Sequence, residues 1–183
     1  GTYEPKSNMV SGQAHTASFR MRGGISVYGG FAGTETNKSQ RPRPEGYYPW
    51  DFENETILRG AGYDGGQTVW SDVDVKWSIV SHSRHVVWFA PYEEEDFPLA
   101  TVLEGVTIEG GNAQGDMHEN TPAFVTDRGA GIYMNDANAY LYNCVVRNNY
   151  ASATGGGIYL KDGRVFASLV YNSSAATNGG GVY

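Results

Sequence analysis

Three tyrosines return at the same place in a glycine-led unit, which makes them the clearest set of residues for repeated contacts. Gly129-Ala130-Gly131-Ile132-Tyr133-Met134 recurs as Gly155-Gly156-Gly157-Ile158-Tyr159-Leu160, then as Gly179-Gly180-Gly181-Val182-Tyr183, at intervals of 26 and 24 residues. Side chains alternate along a strand, so Ile158 and Leu160 face inward while Tyr133, Tyr159 and Tyr183 face outward. A row of outward rings can stack on sugars or receive another protein. The competing reading is that the rings stabilise the sheet face they stand on.

A second group lies in residues 114–128, with Asp116, His118, Glu119, Asp127 and Arg128. Carboxylates offer the hard oxygens that calcium takes, and Arg128 or His118 can act on a substrate proton. Asp116, Glu119 and Arg128 are the weak catalytic candidates. No motif fixes a converging oxygen set, so no metal ligands are assigned, calcium stays a weakly supported cofactor, and a solvated loop is the plainer reading. Asp72-Val73-Asp74 puts two carboxylates on one side of a strand, as glycoside hydrolysis can use, but the spacing alone is weak. The acidic run at 93–96 reads as a solvated face.

Other features exclude chemistries. Gly29-Gly30-Phe31-Ala32-Gly33 has no lysine directly after it and opens no helix, so it is not a phosphate loop. His15, His82, His85 and His118 lack metal-ligand spacing. Cys144, the single cysteine, sits in Leu141-Tyr142-Asn143-Cys144-Val145-Val146, where a buried small residue fits better than a reactive thiol. Asn37-Lys38-Ser39, Asn54-Glu55-Thr56 and Asn172-Ser173-Ser174 match the N-glycosylation pattern, which carries no meaning in most bacterial proteins.

The elements that position these residues follow from the repeat. Leu141-Tyr142-Asn143-Cys144-Val145-Val146-Arg147-Asn148 aligns with Val165-Phe166-Ala167-Ser168-Leu169-Val170-Tyr171-Asn172 at an offset of 24. Leu103-Glu104-Gly105-Val106-Thr107-Ile108 lies 38 residues before Leu141, one period plus 14 residues that an insertion at 114–128 supplies. A period near 24 with short strands between glycines describes one coil of a solenoid, whose apolar side chains are buried only when coils stack about 4.8 Å apart. Cys144 and Val146 then stack inside with Ser168 and Val170. Asn148 and Asn172 share a turn and can bond to the next coil.

The earlier chain is less regular. Residues 18–21, 25–28 and 56–60 read as strands, 34–52 as a long polar surface loop with Pro42, Pro44 and Pro49, and 91–98 as an acidic loop. Residues 78–81 and 85–89 read as a further strand pair. The expected organisation is one domain over 1–183, irregular through 98 and regular over 99–183.

Composition agrees. The chain has 183 residues with 25 glycines and 13 tyrosines, and charged residues make up 18%, a balance that favours strands and turns. The net charge of −7, with unclustered bases, argues against nucleic acid as partner. No apolar run is long enough for a membrane-spanning helix.

Taken together, Gly1-Thr2-Tyr3, Ser18-Phe19, Ile25-Ser26-Val27-Tyr28-Gly29-Gly30-Phe31-Ala32-Gly33-Thr34-Glu35, Gln40-Arg41 and Thr56-Ile57-Leu58 resemble the N-terminal region of large surface β-helix proteins of Bacteroidetes-type bacteria. The Gly-Gly-Gly-Ile-Tyr units are similar to the repeats of chlamydial polymorphic outer-membrane proteins. The resemblance covers nearly the whole chain. It implies an all-β, right-handed parallel β-helix, exported to the bacterial surface or beyond, with further coils and a sorting signal outside this sequence, so that both ends are truncated. Stacked coils give a stiff rod with a repetitive face, which suits a non-catalytic scaffold, adhesin-like or glycan-contacting, whose partners are glycans or another surface protein. The alternatives are a pectate-lyase-like polysaccharide lyase or glycoside hydrolase, in which carboxylates, often with calcium, work beside a basic residue, and a self-associating filament or surface-layer component.

Overall fold

In the computed structural model, residues 1–8, 11, 14–62, 69–71, 76–78, 83–89, 99–114, 127–135 and 138–183 are described. Among them the fold is all-β; the helical segments are two single 3₁₀ turns, Ala14–Thr16 and Lys38–Gln40. Short strands from successive coils stack in register and pair in parallel, an arrangement that fits a β-solenoid.

Four parallel sheets run along the stack. The five-stranded sheet takes Thr2–Tyr3, Ile57–Arg59, Thr107–Glu109, Val145–Arg147 and Leu169–Tyr171. A second sheet takes Phe19–Arg20, Val87–Phe89, Ile132–Met134 and Ile158–Leu160. A third takes Ser26–Tyr28, Thr101–Glu104, Ala139–Tyr142 and Arg164–Phe166. A small corner sheet joins Asn112–Ala113, Tyr150–Ala151 and Ser174–Ala175. Each turn of the chain visits the five-stranded, second and third sheets in that order.

The period-2 pattern decides what is buried. Leu58, Ile108 and Val146 line up on the inner face of the five-stranded sheet, and Val87, Ile132 and Ile158 on that of the second. Leu103 and Leu141 do the same on the third. These rows form one continuous core, with Cys144 inside it and Val170 packed against it. Burial pushes the Cys144 thiol up to about 12, as expected of an inert core cysteine.

The corners explain the glycines and asparagines. Gly129, Gly155 and Gly179 open their units with φ of 66, 63 and 63°, where a Cβ is strained. At Gly111 a Cβ would stand 1.9 Å from the Ala130 carbonyl oxygen, so only a bare Cα lets the coils close. Asn148 and Asn172 both take the expected left-handed conformation, at φ 54 and 47°. Asn148 accepts from the Gly110 N–H of the neighbouring coil through its carbonyl, while the side-chain bonds between coils belong to the next residue. Fully buried Asn149 accepts from the Gly111 N–H at 2.9 Å and donates to the carbonyls of Arg147 and Ile108 at 2.8 and 3.3 Å.

Of the strands expected at 78–81 and 85–89, the second is present as Val87–Phe89, and the pairings of the described residues join it to other strands. Lys76–Ser78 pairs antiparallel with Val69–Ser71, outside the parallel stack, while Val87–Phe89 pairs in parallel with Phe19–Arg20 and Ile132–Met134. Residues 79–82 and 91–98 lie outside the described residues.

Candidate functional site

The tyrosine row exists, but its rings do not form an open face. Register aligns Tyr133 with Tyr159 and, on the coil before, with Trp88. The rings stack along the column: Trp88 to Tyr133 at 4.5 Å, Tyr133 to Tyr159 at 5.3 Å and Tyr159 to Tyr183 at 5.8 Å, with interplanar angles of 8–18°. Rings stacked this way cover each other's faces, the part that would lie on a sugar. Tyr133 is moreover only 4% exposed, against 55% for Tyr183, so the expectation of three exposed tyrosines in a row is corrected. Period-2 alternation gives direction but not what later packs over a side chain.

Of the catalytic candidates, Asp116 and Glu119 lie outside the described residues, as do His118, Asp72, Asp74 and the acidic run at 93–96. Arg128 is committed elsewhere. Its Nε donates to Asp127 Oδ1 at 2.8 Å, and its guanidinium lies 5.5 Å from the centre of the Tyr159 ring. The bond to Asp127 raises its pKa further, against the loss of solvation that burial brings. Among the described residues, no three or more His, Cys, Asp or Glu side chains gather as metal ligands would.

Sequence reasoning missed the site the fold builds most fully. The loop between the third sheet's first strand and the five-stranded sheet's second strand, residues 29–56, folds back over the outer face of the five-stranded sheet. The reason is local. Arg41 is buried, and its guanidinium donates to the Gly29 carbonyl at 3.0 Å and to the Glu104 carboxylate. Its Nε donates to the Lys38 carbonyl at 2.8 Å, tying down the 3₁₀ turn that Asn37 caps. Phe52 lies between two guanidinium groups, 4.7 Å from that of Arg41 and 3.5 Å from that of Arg43. Gly30 and Gly105 make its seat; a Cβ at Gly30 would come within 2.3 Å of the Phe52 ring. Burial pushes the Glu104 carboxyl up, but the hydrogen bond and charge of Arg41, then of Lys38, outweigh it and hold the group below its ordinary value.

Between this loop and the sheet runs a cleft of about 470 Å³. Thr107, Val145 and Leu169, successive outward residues of one register column, line its sheet side. Trp50, Asp51 and Glu53 line the loop side, and Glu55, Arg147 and Tyr171 complete the rim. Tyr48 stacks on Trp50 at 5.3 Å and 6° and stiffens it. Asp51 accepts from the Tyr48 N–H at 2.9 Å.

A charge ladder anchors one end. Glu109 is buried and both its oxygens are used: Oε1 accepts from Arg59 Nη2 at 2.6 Å and Oε2 from Arg147 Nε at 2.9 Å. Arg147 also reaches Glu55 at 3.3 Å and the Tyr171 hydroxyl at 3.4 Å, and Thr107 donates to Glu55 at 2.7 Å. Burial disfavours the Arg147 cation, yet the bonds to Tyr171 and Glu109 and the nearby carboxylates raise its pKa overall. The ladder fixes positions across successive coils. An apolar floor, aromatic rims and oriented acceptors give the cleft binding chemistry. The signal in the sequence was slight: Trp50, Glu53 and Glu55 fall in or beside the stretch read as a polar surface loop.

No family model matches the chain, and no curated protein or solved structure is significantly similar to it.

Proposed function

We propose that this chain is part of a right-handed parallel β-helix of a secreted or bacterial surface protein, and that it is a non-catalytic scaffold whose cleft contacts glycans. The parallel stack supports the helix, and the strong bias of parallel crossovers supports its hand. The Gly-Gly-Gly-Ile-Tyr resemblance supports the surface location. The observation that carries the binding role is the cleft itself: a preformed hollow with a rigid floor, two aromatic rims and side chains that accept hydrogen bonds. Sugar rings present one apolar face and many hydroxyl donors, which matches that lining. A stacked array also holds such a site on a stiff rod, as display requires.

The test is a screen of the purified chain on a broad glycan panel, scored for binding and for new reducing or unsaturated ends. Retained binding without cleavage, weakened by Trp50→Ala and unchanged by Tyr183→Ala, is the expected result. Cleavage lost in Asp116→Ala or Glu119→Ala would replace the scaffold with a carbohydrate-active enzyme.

A further inference from the structure

Resting on the glycan reading, we infer that the cleft takes an uncharged sugar chain and turns away polyuronates and other acidic polysaccharides. Carboxylates outnumber cations among the described residues that line the hollow. Asp51, Glu53 and Glu55 stand along it, and Arg147, the one lining cation among the described residues, is already engaged by Glu55 and Glu109. A polyanion entering there meets carboxylates and finds that cation paired, so it gains no ion pair without breaking one. Ionised carboxylates accept hydrogen bonds only, and sugar hydroxyls donate them without bringing charge.

The backbone narrows the choice further. Two of the strands under the cleft are paired on both sides: Thr107–Glu109 lies between Ile57–Arg59 and Val145–Arg147, and Val145–Arg147 between Thr107–Glu109 and Leu169–Tyr171, which itself ends the five-stranded sheet. An extended peptide can add a strand beyond Leu169–Tyr171, at the end of the cleft, but not over Thr107–Glu109 or Val145–Arg147. Over the middle of the cleft the occupant is held by side chains: rings at Trp50 and Tyr171, an apolar floor at Val145 and Leu169, and acceptors between. These are the demands of a neutral oligosaccharide.

Calorimetric titration of the full chain with cellohexaose, xylohexaose, mannohexaose, hexagalacturonate and a hexalysine peptide tests this. At least one neutral hexaose is expected to bind and hexagalacturonate not to. Trp50→Ala, and separately Tyr171→Ala in case the first unfolds, should each weaken the neutral ligand about tenfold, the loss of one well-placed aromatic contact. The double variant Glu53→Gln with Glu55→Gln should shift the ratio of acidic to neutral affinity toward hexagalacturonate by about tenfold or more. Hexagalacturonate binding the unaltered chain as well as the neutral hexaoses do would overturn the charge assignment and leave the glycan reading standing. Hexalysine binding without any sugar, or no binding at all, would overturn both.

Discussion

At the residue scale, one support of the loop over the cleft is a buried ion pair. Arg41 and Glu104 are both largely removed from water, and a buried cation left without its partner is costly. Glu104→Gln is expected to lower the unfolding free energy by about 3 kcal/mol, read from urea denaturation. The pair also sets an acid limit. The folded-state pKa of Glu104 lies below its ordinary value of 4.5, so the unfolded chain binds the proton more readily than the folded one. Its contribution is complete above that value and is lost as the pH falls through the lowered one. The unaltered chain should therefore lose stability on acidification more steeply than Glu104→Gln does. Parallel pH profiles would count against this role for the pair. Nothing in the sequence singled out Glu104: it occupies an outward strand position, where a charged residue is ordinarily solvated, and its partner arrives from 63 residues away.

At the scale of elements, the coil is set by close backbone approach. Gly111→Ala would place a methyl group 1.9 Å from the Ala130 carbonyl oxygen, and backbone rather than a flexible side chain would have to move. The expected loss is about 1–3 kcal/mol, the range for overpacking a filled interior, measured by thermal or urea unfolding. An unchanged midpoint would mean that this corner is looser than its geometry. This level was the most legible in the sequence. The 24-residue offset between Leu141 and Val165 is also the register of the third sheet, and that between Val145 and Leu169 the register of the five-stranded sheet. Repetition reads well because identical coils must bury identical positions. Two things did not read. Ring stacking along Trp88, Tyr133 and Tyr159 depends on rotamers, and alternation specifies only the side of the strand. The loop over the five-stranded sheet has no period, and its fold comes from Arg41, Phe52 and Gly30 meeting across the chain.

At the scale of the whole molecule, the stack is a rigid frame and the loop its distinctive addition. Successive coils repeat the same parallel register, and among the described residues, 29–56 form a long loop over one flank of the five-stranded sheet. The proposed binding role rests on this cleft rather than on the tyrosine column. Hydrogen exchange of the full chain, with and without the neutral hexaose that binds most tightly, puts this to the most direct test. Backbone amides of residues 48–56 and of Val145–Arg147 and Leu169–Tyr171 are expected to gain protection, with those of Ile158–Leu160 unchanged. Protection confined to Ile158–Leu160 and the residues around Tyr183, with none at the cleft, would contradict the account and return the binding role to the tyrosines.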